Sequence, residues 1–244
     1  MEEQIIYGRN AVTEALLAGK QADTVYVSKT AKGLGRIIEL AKQNGAAVKD
    51  ASPSKLDELC EGGKHGGVAA LMSAAEYSSV DDIFKAAEEK NEPVFIVIAD
   101  EIQDPHNLGA IIRTAEAAGV HGVIIPKRRG AGLTSVVYKT SAGAASWVKV
   151  ARVSNLTETI KELKRRGVWV YGAEADGEPF READLSGAVA LVIGSEGNGL
   201  GRLVRENCDK ILSIDMYGRI NSLNASVSAG ILIYEAVRNR RKNV

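Results

Sequence analysis

Cysteine is scarce in this chain: Cys60 and Cys208 are the only two in 244 residues, far apart and outside any C-x-x-C pair. That spacing argues against a disulfide framework or a cysteine zinc site, and a reducing, cytoplasmic setting is the simplest expectation. Histidine is thin as well. His65, His106 and His121 are dispersed, so no metal-ligand set is predicted, and each reads as a loop or surface residue. No apolar run approaches the roughly 18 residues of a membrane span. Met1-Glu2-Glu3-Gln4 lacks the basic and apolar regions of a secretory signal, so neither membrane nor export is expected. Positive charge is not in excess: Lys+Arg and Asp+Glu both number 31, and nothing global announces a nucleic-acid binder. Two nucleotide signatures are also missing. No G-x-x-x-x-G-K-[ST] occurs, and no G-x-G-x-x-G stands at an early strand–helix turn.

What is present is ordinary globular composition, 45% hydrophobic and 25% charged. Local basic clusters lie at Lys127-Arg128-Arg129, at 161–166 and at 238–242. The last two suit solvated helix faces, whereas the first sits in a Gly-rich loop where phosphate contact is plausible chemistry. Patterning predicts helices over 10–18, 31–43 and 54–60 and strands over 24–27, 46–49 and 67–72, a small α/β unit over residues 1–75. A polar linker, 76–92, with helical spacing in 80–90, leads to a larger domain over 93–244. There, strands at 94–99, 122–125, 147–153, 168–173, 188–193 and 211–214 alternate with helices at 108–118, 155–166, 200–207 and 223–239. Such alternation predicts a mostly parallel sheet covered on both faces, with ligands beyond the carboxyl ends of its strands.

Three loops at those ends hold the candidate chemistry. The first, 100–109, ends in Asp104-Pro105-His106-Asn107-Leu108-Gly109 and enters a helix carrying Arg113. Asn107 is expected to cap that helix, with Arg113 reaching back over its start. The second, Gly194-Ser195-Glu196-Gly197-Asn198-Gly199-Leu200-Gly201, permits close backbone approach to a ligand and isolates one acid, Glu196. The third, 215–230, crowds Asn221, Ser222, Asn224, Ser226 and Ser228 around the start of an apolar helix, with Ser222 and Ser226 expected on one helical face.

In these stretches, and in their order, the sequence resembles the SpoU (TrmH-like) branch of the SPOUT RNA methyltransferases, over essentially the whole chain. Tyr7-Gly8-Arg9-Asn10-Ala11-Val12 resembles the start of that family's RNA substrate-binding domain, itself similar to RNA-binding ribosomal proteins. Within the family the likeness runs to members that methylate a guanosine ribose of 23S rRNA. Two departures stand out: His65-Gly66-Gly67 where the family usually has His-Gln-Gly, and Ile214-Asp215 where Ile-Pro is usual. The resemblance implies a deep trefoil knot in the C-terminal domain, a homodimer with the active site completed across its interface, and S-adenosylmethionine held near Gly194, Gly197, Ile214, Ser222 and Leu223. It also implies methyl transfer to a ribose 2′-hydroxyl by Asn107, Arg113, Glu196, Ser222 and Asn224, and RNA contact through Arg9, Lys127, Arg128 and Arg129. A guanidinium stays protonated at ordinary pH. Arg113 is therefore expected to position a phosphate and stabilise a developing alkoxide, while Glu196 or a substrate phosphate takes the proton. The competing readings are a tRNA ribose methyltransferase of the same family, a non-catalytic ribosome-assembly factor, and a nicotinamide-dependent enzyme.

Overall fold

The computed structural model describes residues 4–72 and 77–241, so Met1–Glu3, the first four residues of the polar stretch at 73–92, and Lys242 of the last basic cluster lie outside the described residues. Two compact units emerge. The smaller contains the N-terminal 76 residues together with Leu133–Trp147; the larger contains Tyr77–Gly132 and Val148–Val244.

In the smaller unit, β1 (Gln4–Tyr7), β2 (Ala22–Ser28), β3 (Ala47–Ala51) and β4 (Val68–Met72) form a sheet of order β1-β4-β2-β3. β4 runs antiparallel to both β1 and β2, and β2 and β3 are parallel. Helices α1 (Arg9–Leu17), α2 (Gly35–Gln43) and α3 (Pro53–Leu59) accompany it, and Leu56 of α3 packs with Tyr7, Cys60 and Ala69 in a small core. α3 starts where Ser52 accepts a hydrogen bond from Lys55 N, with Pro53 in the first turn, where its missing N–H costs nothing.

The segment Leu133–Trp147 reads by sequence as part of the larger domain, yet it packs in the smaller unit. Its helix α6 (Ser135–Thr140) lies against β1: Gln4 Nε2 donates to Leu133 O at 2.6 Å, and Lys139 sits 4.5 Å over the Tyr7 ring. At its end, Trp147 Nε1 donates to Glu14 Oε2 at 2.9 Å. Helix α6 and strand β1 are absent from the sequence reading, because both are short and neither has a clean period.

The larger unit carries β5 (Phe95–Ala99), β6 (Gly122–Pro126), β7 (Lys149–Val153), β8 (Trp169–Pro179), β9 (Val189–Ile193) and β10 (Lys210–Ser213), in the order β10-β8-β9-β5-β6-β7. Every pairing is parallel. β5 and β9 are buried at every residue, as strands covered on both faces should be. On one face Ile96, Ile98, Ile124, Val170 and Val192 pack with apolar residues of α4 (Val80–Glu89), α7 (Leu156–Arg165) and α8 (Arg202–Asn207). Phe95 points the other way, and there α9 (Ala225–Arg241) packs against α5 (Pro105–Ala117), with Arg240 stacked 5.2 Å from the Phe95 ring. Because all six strands run the same way, the loops after β5, β9 and β10 emerge at one end.

Among the described residues no helix is long and apolar enough to cross a membrane, and no cluster of His, Cys, Asp and Glu could hold a metal. Burial raises the Cys60 thiol to about 11 and the Cys208 thiol to about 12, so neither offers a thiolate at neutral pH. His121, in the turn before β6, is buried: its Nδ1 accepts from Phe95 N at 2.9 Å, and burial lowers its pKa to about 4.

Candidate active site

Helix α5 begins earlier than its sequence suggests. Asp104, not Asn107, is the cap: its carboxylate accepts from His106 N at 2.8 Å, and Pro105 occupies the first turn with its φ already helical. Released from capping, the Asn107 side chain turns to the other loops. Asn107 Nδ2 donates to Glu196 Oε1 at 2.9 Å, and Asn224 Nδ2 contacts both Asn107 Oδ1, at 3.0 Å, and Glu196 Oε1. Ala225 N adds a longer bond to Glu196 Oε1, at 3.4 Å. One residue from each of the three loops therefore meets in a single cluster.

Asn224 also starts α9, its Oδ1 accepting from Ser226 N at 2.9 Å, Ser226 Oγ at 2.6 Å and Val227 N at 3.3 Å. The helix accordingly runs from Ala225, and Asn221–Leu223 belong to the loop. Ser222 and Ser226 do not share a helical face as expected, because the cap falls between them.

The Gly194–Gly199 loop is closed on itself. Ser195 N donates to Gly199 O at 3.1 Å and Gly199 N to Ser195 O at 2.9 Å. A Cβ on Gly194 would lie 2.4 Å from the Gly199 backbone, and Gly199 has φ +61 with the Glu174 carboxylate against it. Only glycine suits both positions. Asp100, buried at the end of β5, fixes the far end of the loop by accepting from Gly201 N at 2.7 Å, and desolvation raises its pKa.

Beside the cluster opens a cavity of about 630 Å³, inside the range of small-molecule sites. Gly194, Gly197, Ile214, Ser222 and Leu223 line it, as does Glu196. Sequence reading missed Glu174, Asp176 and Met216, also in the wall. Among the described residues, no lysine, arginine or histidine lines it. Ser195 Oγ is buried there without a hydrogen-bond partner among the described residues.

Other expected residues lie outside this cavity. Arg113 is exposed on α5, with no side-chain partner among the described residues. Lys127, Arg128 and Arg129 are exposed after β6; Arg129 pairs with Glu101 at 3.2 Å, and Ala131 N bonds Ile102 O at 2.8 Å, docking their loop onto the one after β5. Arg9, in the smaller unit, donates from Nε to Gly66 O at 2.8 Å. The other two basic clusters are largely engaged within the chain: Lys164 pairs with Asp209, Arg166 with Asp81, and Arg240 with the Gly187 and Pro93 carbonyls.

The family model described as SpoU rRNA Methylase matches residues 94–234, which hold this cluster and cavity. The chain belongs to the SpoU methylase family. A second model, for RNA 2′-O ribose methyltransferase substrate binding, matches residues 5–78. YacO of Bacillus subtilis (strain 168), assigned to the TrmH family of tRNA/rRNA methyltransferases, is 48% identical over 242 residues, 98% of this chain and 97% of its own. The crystal structure of the SpoU methyltransferase AviRb from Streptomyces viridochromogenes with AdoMet is similar at a TM-score of 0.85 and 26% identity, covering 98% of this chain and 91% of that one. The A. aeolicus TrmH/SpoU tRNA modifying enzyme is 32% identical at a TM-score of 0.56, but covers only 67% of this chain and 84% of its own. This SpoU/TrmH-family protein is therefore an RNA methyltransferase.

Proposed function

We propose that the protein transfers a methyl group from S-adenosylmethionine to a ribose 2′-hydroxyl of ribosomal RNA, specifically a guanosine of 23S rRNA, in the cytoplasm. The observation that carries the reading is the meeting of Asn107, Glu196 and Asn224 beside a cavity whose wall, among the described residues, holds no cationic side chain. Among the described residues, no lysine or arginine stands along that wall to repel a sulfonium's positive charge. The orphaned Ser195 hydroxyl and the close-packed glycine loop suit a ligand bound mainly through backbone and small polar groups. The AdoMet held by AviRb supports the same cofactor here. When bound, S-adenosylmethionine supplies an electrophilic methyl group.

The chain's own residues then deal with the hydroxyl. Three N–H donors converge on Glu196 Oε1 and orient the carboxylate. Its Oε2 is left to take the proton of the 2′-hydroxyl. Ser222 lies in the cavity wall to orient the ribose. Arg113, exposed on α5, holds a substrate phosphate and steadies charge developing on the oxygen. We read the protein as a homodimer in which Arg113 completes the site of a second copy, and its C-terminal domain as a deep trefoil knot. The likeness to AviRb supports that fold. Lys127 and Arg128, with Arg9 of the smaller unit, would hold RNA phosphates. Residues 1–75, 76–92 and 93–244 would serve as RNA-binding domain, linker and catalytic domain, with the excursion 133–147 folded into the first.

Ribosomal rather than transfer RNA is favoured by the family's description and by coverage: the tRNA modifying enzyme leaves a third of this chain without a counterpart. Mapping 2′-O-methyl positions on bulk rRNA and tRNA, from cells with and without the protein, tests the reading. A guanosine of 23S rRNA should lose its methyl group. A lost tRNA position would move the substrate to tRNA, and no lost position in either would leave RNA binding without catalysis.

A further inference from the structure

Strand β8 does not pair smoothly with β10. The register places Ile211 opposite Gly172 but the next residue, Leu212, opposite Glu178, so residues 173–177 leave the ladder. That excursion brings Glu174 and Asp176 into the cavity wall. Glu174 Oε1 accepts from Leu200 N at 2.9 Å, and its Oε2 pairs with Arg205 Nε at 2.6 Å. Asp176 Oδ2 pairs with a second nitrogen of the same guanidinium at 2.8 Å. Together with Glu196, three carboxylates face the cavity, and one cation, standing outside the wall, answers two of them. The remaining partners of Glu196 are neutral amides.

We infer that this unbalanced negative charge makes the site select its ligand by net charge, favouring the sulfonium form over its neutral thioether counterpart. The inference rests on the cofactor reading above. S-adenosylmethionine carries one net positive charge and S-adenosylhomocysteine none, while their contacts to adenine, ribose and amino acid are the same. Across a cavity of this size, each uncompensated carboxylate is worth about a five-fold difference in affinity between the two, and added salt weakens it. The site thus holds the reactive form and loosens its grip once the charge is gone. Glu174 and Asp176 act here as specificity-determining residues, and Arg205 sets how much of their charge the ligand meets.

Calorimetric titration with S-adenosylmethionine and with S-adenosylhomocysteine separates charge from architecture. The wild-type protein should prefer the sulfonium ligand. Asp176→Asn, at an exposed side chain paired with Arg205, should lower the ratio of the two affinities, by at most about five-fold. Arg205→Gln removes the opposing cation and should raise the ratio, although it breaks the same network. A ratio unmoved by Asp176→Asn, or lowered by both substitutions alike, would overturn the inference. Binding of both ligands with equal affinity by the wild type would also overturn it, with the cofactor reading intact. Failure of the wild type to bind either ligand would overturn the cofactor reading itself.

Discussion

Asn107 Nδ2 and Glu196 Oε1 meet at 2.9 Å although 89 residues separate them. The contact exists because α5 is capped three residues earlier, by Asp104, which leaves the Asn107 amide free to hold an acid on another loop. A carboxylate fixed in this way has one oxygen committed and one available.

Glu196→Gln keeps the shape of the side chain and removes its capacity to accept a proton. The turnover rate should fall about 100- to 10,000-fold, and the acidic limb of the pH–rate profile should vanish. Arg113→Lys should slow the reaction and retain that limb, because its role is to place charge rather than to move a proton. A limb lost in the Arg113 variant and kept in the Glu196 variant would reverse the two roles.

Gly199→Ala tests the closed loop. The added Cβ meets the Glu174 carboxylate at 2.7 Å, at a backbone φ of +61 that alanine resists. A stability loss of about 1–3 kcal/mol by chemical denaturation is expected, together with weakened S-adenosylmethionine binding. Gly197→Ala, where an added Cβ meets nothing within 4 Å, should leave stability unchanged. Equal effects at the two positions would show that crowding does not govern the loop.

Stability should also depend on pH through His121. Burial lowers its pKa to about 4 from 6.5, with Lys90 and Arg240 lowering it further and Glu92, at 3.3 Å, opposing. The unfolded chain therefore binds the proton first as pH falls. The stabilisation is complete above 6.5, is lost progressively as pH drops from 6.5 toward 4, and amounts to about 3 kcal/mol over that window. Urea unfolding at several pH values, compared with His121→Asn, isolates this part. Identical pH slopes for the two proteins would remove His121 as the cause.

The chemistry-bearing loops were legible in sequence because each concentrates Gly, Asn, Ser and acid at the end of an apolar run, as Val189–Ile193 before Gly194 shows. The buried strands β5 and β9 announced themselves for the same reason. Less visible were features that depend on what a residue meets. Asn107 looks like a cap until Pro105 and Asp104 are given their places. Glu174 and Asp176 lie just past the strand expected over 168–173 and carry no motif of their own, since the register jump that turns them into the cavity is a property of β8 and β10 together. Strand β1 and helix α6, which support each other, offer too few residues for a period.

The return of Leu133–Trp147 to the smaller unit has a consequence for synthesis. The ribosome delivers β1 long before α6, with β5, α5 and β6 made in between. The N-terminal unit cannot complete its packing as it emerges; although β4 and α1 already meet β1, it must wait for α6 until more than half of the chain has been translated. A gene fragment ending at residue 76 would encode a unit missing one of its own helices.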